Sequence, residues 1–149
     1  MSLKTKIFLS IIAVLVAIQF IPTKKTNPKT DKRYEIKAPK EIMTLFKRAC
    51  YDCHSNETKW PWYSNIAPAS FYIAKHVNDG RAWLNFSEWE KYDPNKKRKL
   101  KKEIFRAVAL AMPLPMYLLA HKDAKLTEEE KDKIRAWLSN NTMDINSIK

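Results

Sequence analysis

The residues best suited to chemistry stand together. Cys50-Tyr51-Asp52-Cys53-His54 holds both cysteines of the chain and one of its three histidines. Two thiols three positions apart with an imidazole directly after them form the pattern of c-type haem attachment. The thiols can add to the two vinyl groups along one edge of a porphyrin, and His54 then falls beneath the iron as its proximal ligand. Covalent attachment holds the group without a deep apolar pocket, which suits a small domain. Other uses of Cys-x-x-Cys need company that this sequence lacks. A thioredoxin-like redox pair sits in a β-α-β context, whereas the apolar spacing here is helical. A structural zinc site takes four ligands, usually with a second Cys pair or a close His pair, and only His76 and His121 remain, far apart.

Apolar residues recur at spacings of three and four, punctuated by caps, with no strand-like alternation and no internal repeat, so the expected class is all-α. The first helix of the domain is expected over Lys40–Ala49, with Ile42, Leu45, Phe46 and Ala49 on one face. A second is expected over Pro68–Asp79, stopped by Gly80, the single glycine of the chain. A short turn is expected from Ser87. Asp93 then caps a helix with Pro94 at its first position, carrying Leu100, Ile104, Ala107 and Val108 to the Met112-Pro113 break. Thr127 and Glu130 form a capping box ahead of a last helix, with Ile134, Trp137 and Leu138 as its stripe and an end near Asn140. Among the aromatic residues after the cysteines, Trp60, Trp62, Tyr63, Phe71, Tyr72, Trp83, Phe86 and Trp89, most are expected in the core and some along the haem crevice. The Nδ1–H of His54 needs an acceptor to orient the ring, and the carbonyls of Ala67, Pro68 or a nearby proline are candidates.

The 149 residues are enough for one domain with a core and a segment at one end. That segment is Ile7–Ile21, fifteen uncharged residues between Lys4 and Lys6 on one side and Pro22, Lys24 and Lys25 on the other. It is short for a spanning helix, which needs ~17 to 25 residues, but the positions where a signal peptidase wants small residues hold Gln19, Phe20, Ile21 and Pro22. A retained anchor over residues 1–23 is therefore the reading, with a cleaved signal and a soluble periplasmic product as the alternative. Residues 24–38, rich in Lys, Thr and Pro, read as a polar tether, and residues 39–149 as the haem-binding domain. The net charge of +12 peaks in Lys96-Lys97-Arg98-Lys99-Leu100-Lys101-Lys102. An exported protein seldom meets nucleic acid, so this run is expected to be a solvated helix face, or else a surface that steers acidic redox partners or lies on anionic lipid.

Cys50–Ala67 (CYDCHSNETKWPWYSNIA), Gly80-Arg81, Leu84–Trp89 (LNFSEW) and Met112-Pro113-Leu114 ahead of Tyr117 and His121 resemble the bacterial haem-binding domain family of small membrane-attached monohaem c-type cytochromes. The resemblance covers nearly everything from Lys40 to Asn140. It implies a cytochrome c-like helical domain around one covalently attached haem c, with Cys50 and Cys53 as its thioethers and His54 as its iron ligand, behind an N-terminal membrane helix. For the second axial position Met112 is the first choice, because a proline-stiffened Met-Pro-Leu-Pro loop can hold a thioether with little loss of freedom. His76 and Met116 are alternatives, with His121 and Met43 behind them. A carrier with both iron positions filled transfers electrons between partner proteins. A displaceable distal ligand would instead suit a haem-based sensor or a peroxidase-like enzyme, although no distal acid–base pair stands out. Haem attachment of this kind takes place outside the bacterial cytoplasmic membrane, so the domain is expected on the periplasmic face.

Overall fold

Amphipathic spacing and side-chain caps account for the elements. The computed structural model describes residues 1–143, and residues 144–149, the end of the expected 39–149 domain, lie outside the described residues. Seven helices and several 3-10 turns, and no strand, are found among the described residues. Helix α1, Leu3–Ala17, is capped by Ser2, whose Oγ accepts from the Thr5 N–H at 3.2 Å, and it buries no residue. With the 3-10 turn Ile18–Phe20 it makes one helical stretch, Leu3–Phe20, long and apolar enough to cross a membrane.

Helix α2, Lys40–Ala49, buries the four residues expected of it, Ile42, Leu45, Phe46 and Ala49. Helix α3 is a single turn, Tyr51–His54, that follows α2 after Cys50. Helix α4, Ala69–Trp83, runs through Gly80 instead of stopping there. Gly80 has no positive φ, so it is not used as a left-handed cap. Its role is close approach: a Cβ at that position would stand 2.5 Å from the Cys53 carbonyl oxygen. The short turn is a 3-10 segment, Phe86–Lys91, capped by Asn85, whose side chain accepts from the Ser87 N–H at 3.0 Å. Helix α5, Pro94–Leu110, has Asp93 Oδ1 accepting from the N–H groups of Asn95 and Lys96, and it buries Leu100, Ile104 and Val108. Helix α6, Pro115–Ala120, is a short addition after the proline break.

Helix α7, Glu128–Met143, starts at the expected capping box: Thr127 Oγ1 accepts from the Glu130 N–H at 3.2 Å, and Glu130 Oε2 accepts from the Thr127 N–H at 2.9 Å. The same Oε2 takes Arg48 Nη2 at 2.6 Å, tying α2 to α7. Ile134 and Leu138 are fully buried, and Trp137 packs on the core from a half-buried position.

The core is an aromatic stack with aliphatic residues around it. Phe86 lies over Phe46 with ring centroids 4.7 Å apart and beside Tyr51 at 5.6 Å, both nearly parallel, and Trp137 meets Phe46 edge-on at 5.8 Å. Each such ring adds ~1.5–3 kcal/mol by burial. Because Tyr51 belongs to the Cys-x-x-Cys-His turn, the stack carries the position of that turn into the centre of the fold.

Residues 24–38 lie along the domain. Asn27 Nδ2 donates to the Thr58 carbonyl at 2.8 Å, the Ile36 N–H to the Phe86 carbonyl at 2.9 Å, and Ile36 is itself part of the core. Arg81 holds the strap from the other side, donating to the Thr26 carbonyl, Asn27 Oδ1, Thr58 Oγ1 and the Ser55 carbonyl. Apart from Ile36, the segment is held by backbone and side-chain oxygens, which a polar composition does not reveal.

Candidate functional site

The site begins with how Cys50–His54 is folded. The Cys50 N–H closes α2 on the Phe46 carbonyl at 2.8 Å, and the N–H groups of Cys53 and His54 both return to the Cys50 carbonyl, at 3.2 and 2.9 Å. One tight turn thus brings the two thiols to the same cleft wall. They are separate, half-buried thiols. Burial pushes Cys50 up to about 12 and Cys53 to about 11, the nearby Cys53 and Asp52 charges adding to this respectively. A reactive redox pair needs the opposite shift, toward thiolate.

His54 is buried, with its ring edge-on to Trp83 at 5.4 Å and to Phe86 at 6.4 Å. Its Nδ1 lies 3.1 Å from the Gly80 carbonyl and 3.2 Å from the Leu84 carbonyl. Carbonyl oxygens only accept, so Nδ1 carries the proton and Nε2 keeps its lone pair, the form of imidazole that binds metal. Burial lowers the pKa of the ring more than these two bonds raise it, which keeps it neutral. The acceptors are therefore Gly80 in the last turn of α4 and Leu84 just after it, not Ala67, Pro68 or a nearby proline, the candidates from sequence. The Ala67 carbonyl instead accepts from Gln19 Nε2 at 3.1 Å.

Cys50, Cys53 and His54 line an open cleft together with His76, Gly80 and Trp83 of α4 and Met112, Leu114 and Tyr117 beyond α5. It continues, through Asp52, Cys53, His76, Leu114 and Tyr117, into a second space lined by Lys59, Tyr63, Tyr72, Ile73, Val77, Met116 and His121, among others. The structure thus gathers Met112 and His76 beside the cysteines, and sets Met116 and His121 along the continuation. Met43 packs on the core elsewhere. His121 stacks on Tyr117 with centroids 4.2 Å apart, its Nδ1 3.2 Å from the Tyr117 carbonyl. Of the aromatic residues, Phe86 and Trp89 are core, Tyr63, Tyr72 and Trp83 line the cleft, and Trp62 is exposed.

One clamp was missed in the sequence. Tyr117 donates to Asp52 Oδ2 at 2.7 Å while Asp52 Oδ1 accepts from the Lys59 N–H at 2.9 Å, so α6 is tied to the residue between the two cysteines. Burial, then the bond to Asp52, raises the phenol of Tyr117 far above its usual range and keeps it a donor. Nothing in the spacing of Asp52 and Tyr117 announces a bond across 65 positions.

A family model described as a haem-binding domain matches residues 13–140. The chain belongs to the haem-binding domain family. No curated protein and no solved structure matches it.

The residues of this haem-binding domain fit the group. The cleft is walled by apolar and aromatic side chains, and it contains a neutral imidazole whose metal-binding nitrogen is unprotonated. Among the described residues no cluster of three or more His, Cys, Asp or Glu stands ready for a bare metal ion. At Gly80 the backbone of α4 approaches α3 so closely that a methyl group would break the contact.

Proposed function

We propose that this haem-binding domain is a monohaem c-type cytochrome that transfers electrons at the periplasmic face of the cytoplasmic membrane, held there by α1. Cys50 and Cys53 hold the haem through thioethers, His54 Nε2 is the proximal iron ligand and Met112 the distal one. Bound there, the haem supplies a one-electron iron couple. The protein's own residues would fix the imidazole, exclude water with Trp83, Leu114 and Tyr117, and offer the Met112 thioether as a second iron ligand.

The observation that carries this reading is the double hydrogen bond of His54 Nδ1 to the Gly80 and Leu84 carbonyls, next to both thiols on one apolar wall. It leaves one nitrogen of one histidine available to iron at the place where Cys-x-x-Cys-His chemistry needs it. Support for Met112 is its place on the same cleft, at the proline break after α5.

Ligation is tested by the optical spectrum of the oxidised protein. A weak near-infrared absorption of the Met–Fe(III) bond is expected in the wild type and lost in Met112→Ala. If haem is bound and that absorption is absent from the wild type, Met112 is not the ligand. His76 lines both parts of the cleft and is then the next ligand to test. Bis-histidine iron would lower the potential.

Electron transfer is separated from the sensor or peroxidase-like alternative by adding carbon monoxide to the ferrous protein at neutral pH. A carrier with both positions filled leaves its spectrum unchanged, and rapid binding would favour the alternative. The partners of such a carrier are redox proteins, with the α5 lysines as a surface for acidic ones. Several of these lysines already have local partners: Lys96 lies over the Tyr92 ring at 4.1 Å, Lys97 pairs with Glu90 and Lys99 with Glu103.

A further inference from the structure

Gln19 sits in the last turn of the membrane-crossing stretch, yet its side chain is bonded to the haem domain. Its Nε2 donates to the Ala67 carbonyl at 3.1 Å and its Oε1 accepts from the Ala67 N–H at 3.0 Å. At 1.5 Å per residue, Leu3–Phe20 spans about 27 Å, close to the ~30 Å hydrocarbon thickness of a bilayer. Gln19 therefore lies at the boundary, and Ala67 cannot lie far above it.

The loop that carries Ala67 is built for such a place. Trp62 is 75% exposed and Ile66 is 47% exposed, both on the 61–68 segment, and Phe20 and Ile21 are exposed on the α1 side. A tryptophan with one apolar body and one N–H donor is stable at the headgroup level. Lys25 binds the same loop, donating to the Ser64 carbonyl at 3.1 Å and to Asn65 Oδ1, while Lys24 and Lys59 remain exposed nearby in the chain. Positive side chains beside an exposed tryptophan complement an anionic lipid surface.

We propose that the 61–68 loop is a membrane-docking surface, seated in the headgroup layer of an anionic bilayer with Trp62 as its anchor. The domain is then held down on the membrane and not lifted away by residues 24–38. Pro61 and Tyr63, which line the haem cleft, belong to the same loop, so one edge of the cleft opens at the bilayer surface. This inference rests on the reading of α1 as a retained anchor.

The test uses the full haem-loaded chain in liposomes of phosphatidylcholine and phosphatidylglycerol. The photo-reactive residue benzoylphenylalanine replaces Trp62, or as control Ala136, which is exposed on α7. Lipid adducts after illumination are measured by mass spectrometry, and carbonate-resistant flotation of the chain is scored in parallel. The expected result is an adduct yield several-fold higher at position 62 than at 136. Equal yields with flotation intact would overturn the seating and leave the anchor standing. Release of the chain by carbonate would overturn both.

Discussion

The two walls of the cleft are held in different ways. On the His54 wall the turn is tied to the fold at several points: Nδ1 to two carbonyls of the α4 region, the Cys53 and His54 N–H groups to Cys50, and Ser55 Oγ to the Tyr51 carbonyl at 2.7 Å. On the Met112 wall the chain leaves α5 through main-chain bonds from the Ala111 and Met112 N–H groups to the Ala107 carbonyl, and α6 buries no residue. Leu110, Met116 and Leu119 there are 85%, 60% and 71% exposed. The first wall is built by the protein alone. The Tyr117–Asp52 bond is a polar tie from the second wall to the first.

The largest stability effect should come from breaking the first wall. Gly80→Ala places a methyl group 2.5 Å from the Cys53 carbonyl oxygen, a backbone atom, so α3 and α4 must move apart to accept it. A loss of about 1–3 kcal/mol is expected, read as a lower urea midpoint, together with poorer haem loading. An unchanged midpoint would mean that α3 and α4 are looser than described.

A smaller effect belongs to the tie between the walls. Tyr117→Phe removes one hydrogen bond to Asp52 and should cost about 1 kcal/mol. Hydrogen exchange should quicken in α6 while the Cys50–His54 amides keep their protection. Equal quickening on both sides would erase the distinction drawn between the walls.

The smallest effect lies far from both. Arg48, then the Thr127 N–H, hold the Glu130 carboxyl below its usual range. A depressed folded-state pKa stabilises above the unfolded value of ~4.3, and the contribution disappears as pH falls through the folded one. Glu130→Gln should therefore cost about 0.2–1 kcal/mol at pH 7, and the gap to wild type should close as pH falls through the depressed folded-state value. The haem spectrum should not change with it.

How much of this was legible in the sequence depends on the kind of signal. Helix α2 and its four buried residues, the Asp93-Pro94 start of α5 and the Thr127–Glu130 box follow from local chemistry, and local chemistry is written in consecutive residues. The cysteines, His54, His76 and Met112 were named from type and spacing, and they line one cleft. Gly80 was noticed because it is the single glycine, but its reason was not. A helix stop is a local property, whereas the need for a missing Cβ comes from α3, 27 positions earlier in the chain at Cys53. The Asp52–Tyr117 bond and the strap of residues 24–38 were hidden for the same reason, since their partners are distant oxygens that polar composition cannot distinguish from solvent.

Covalent attachment of haem at Cys50 and Cys53 is the central claim, and intact mass spectrometry under denaturing conditions tests it most directly. The full chain, matured in cells that assemble c-type cytochromes, should carry the mass of one haem on the polypeptide. The double variant Cys50→Ala, Cys53→Ala should carry none. A wild-type chain that releases all its haem on denaturation, or a double variant that keeps it, would contradict the account.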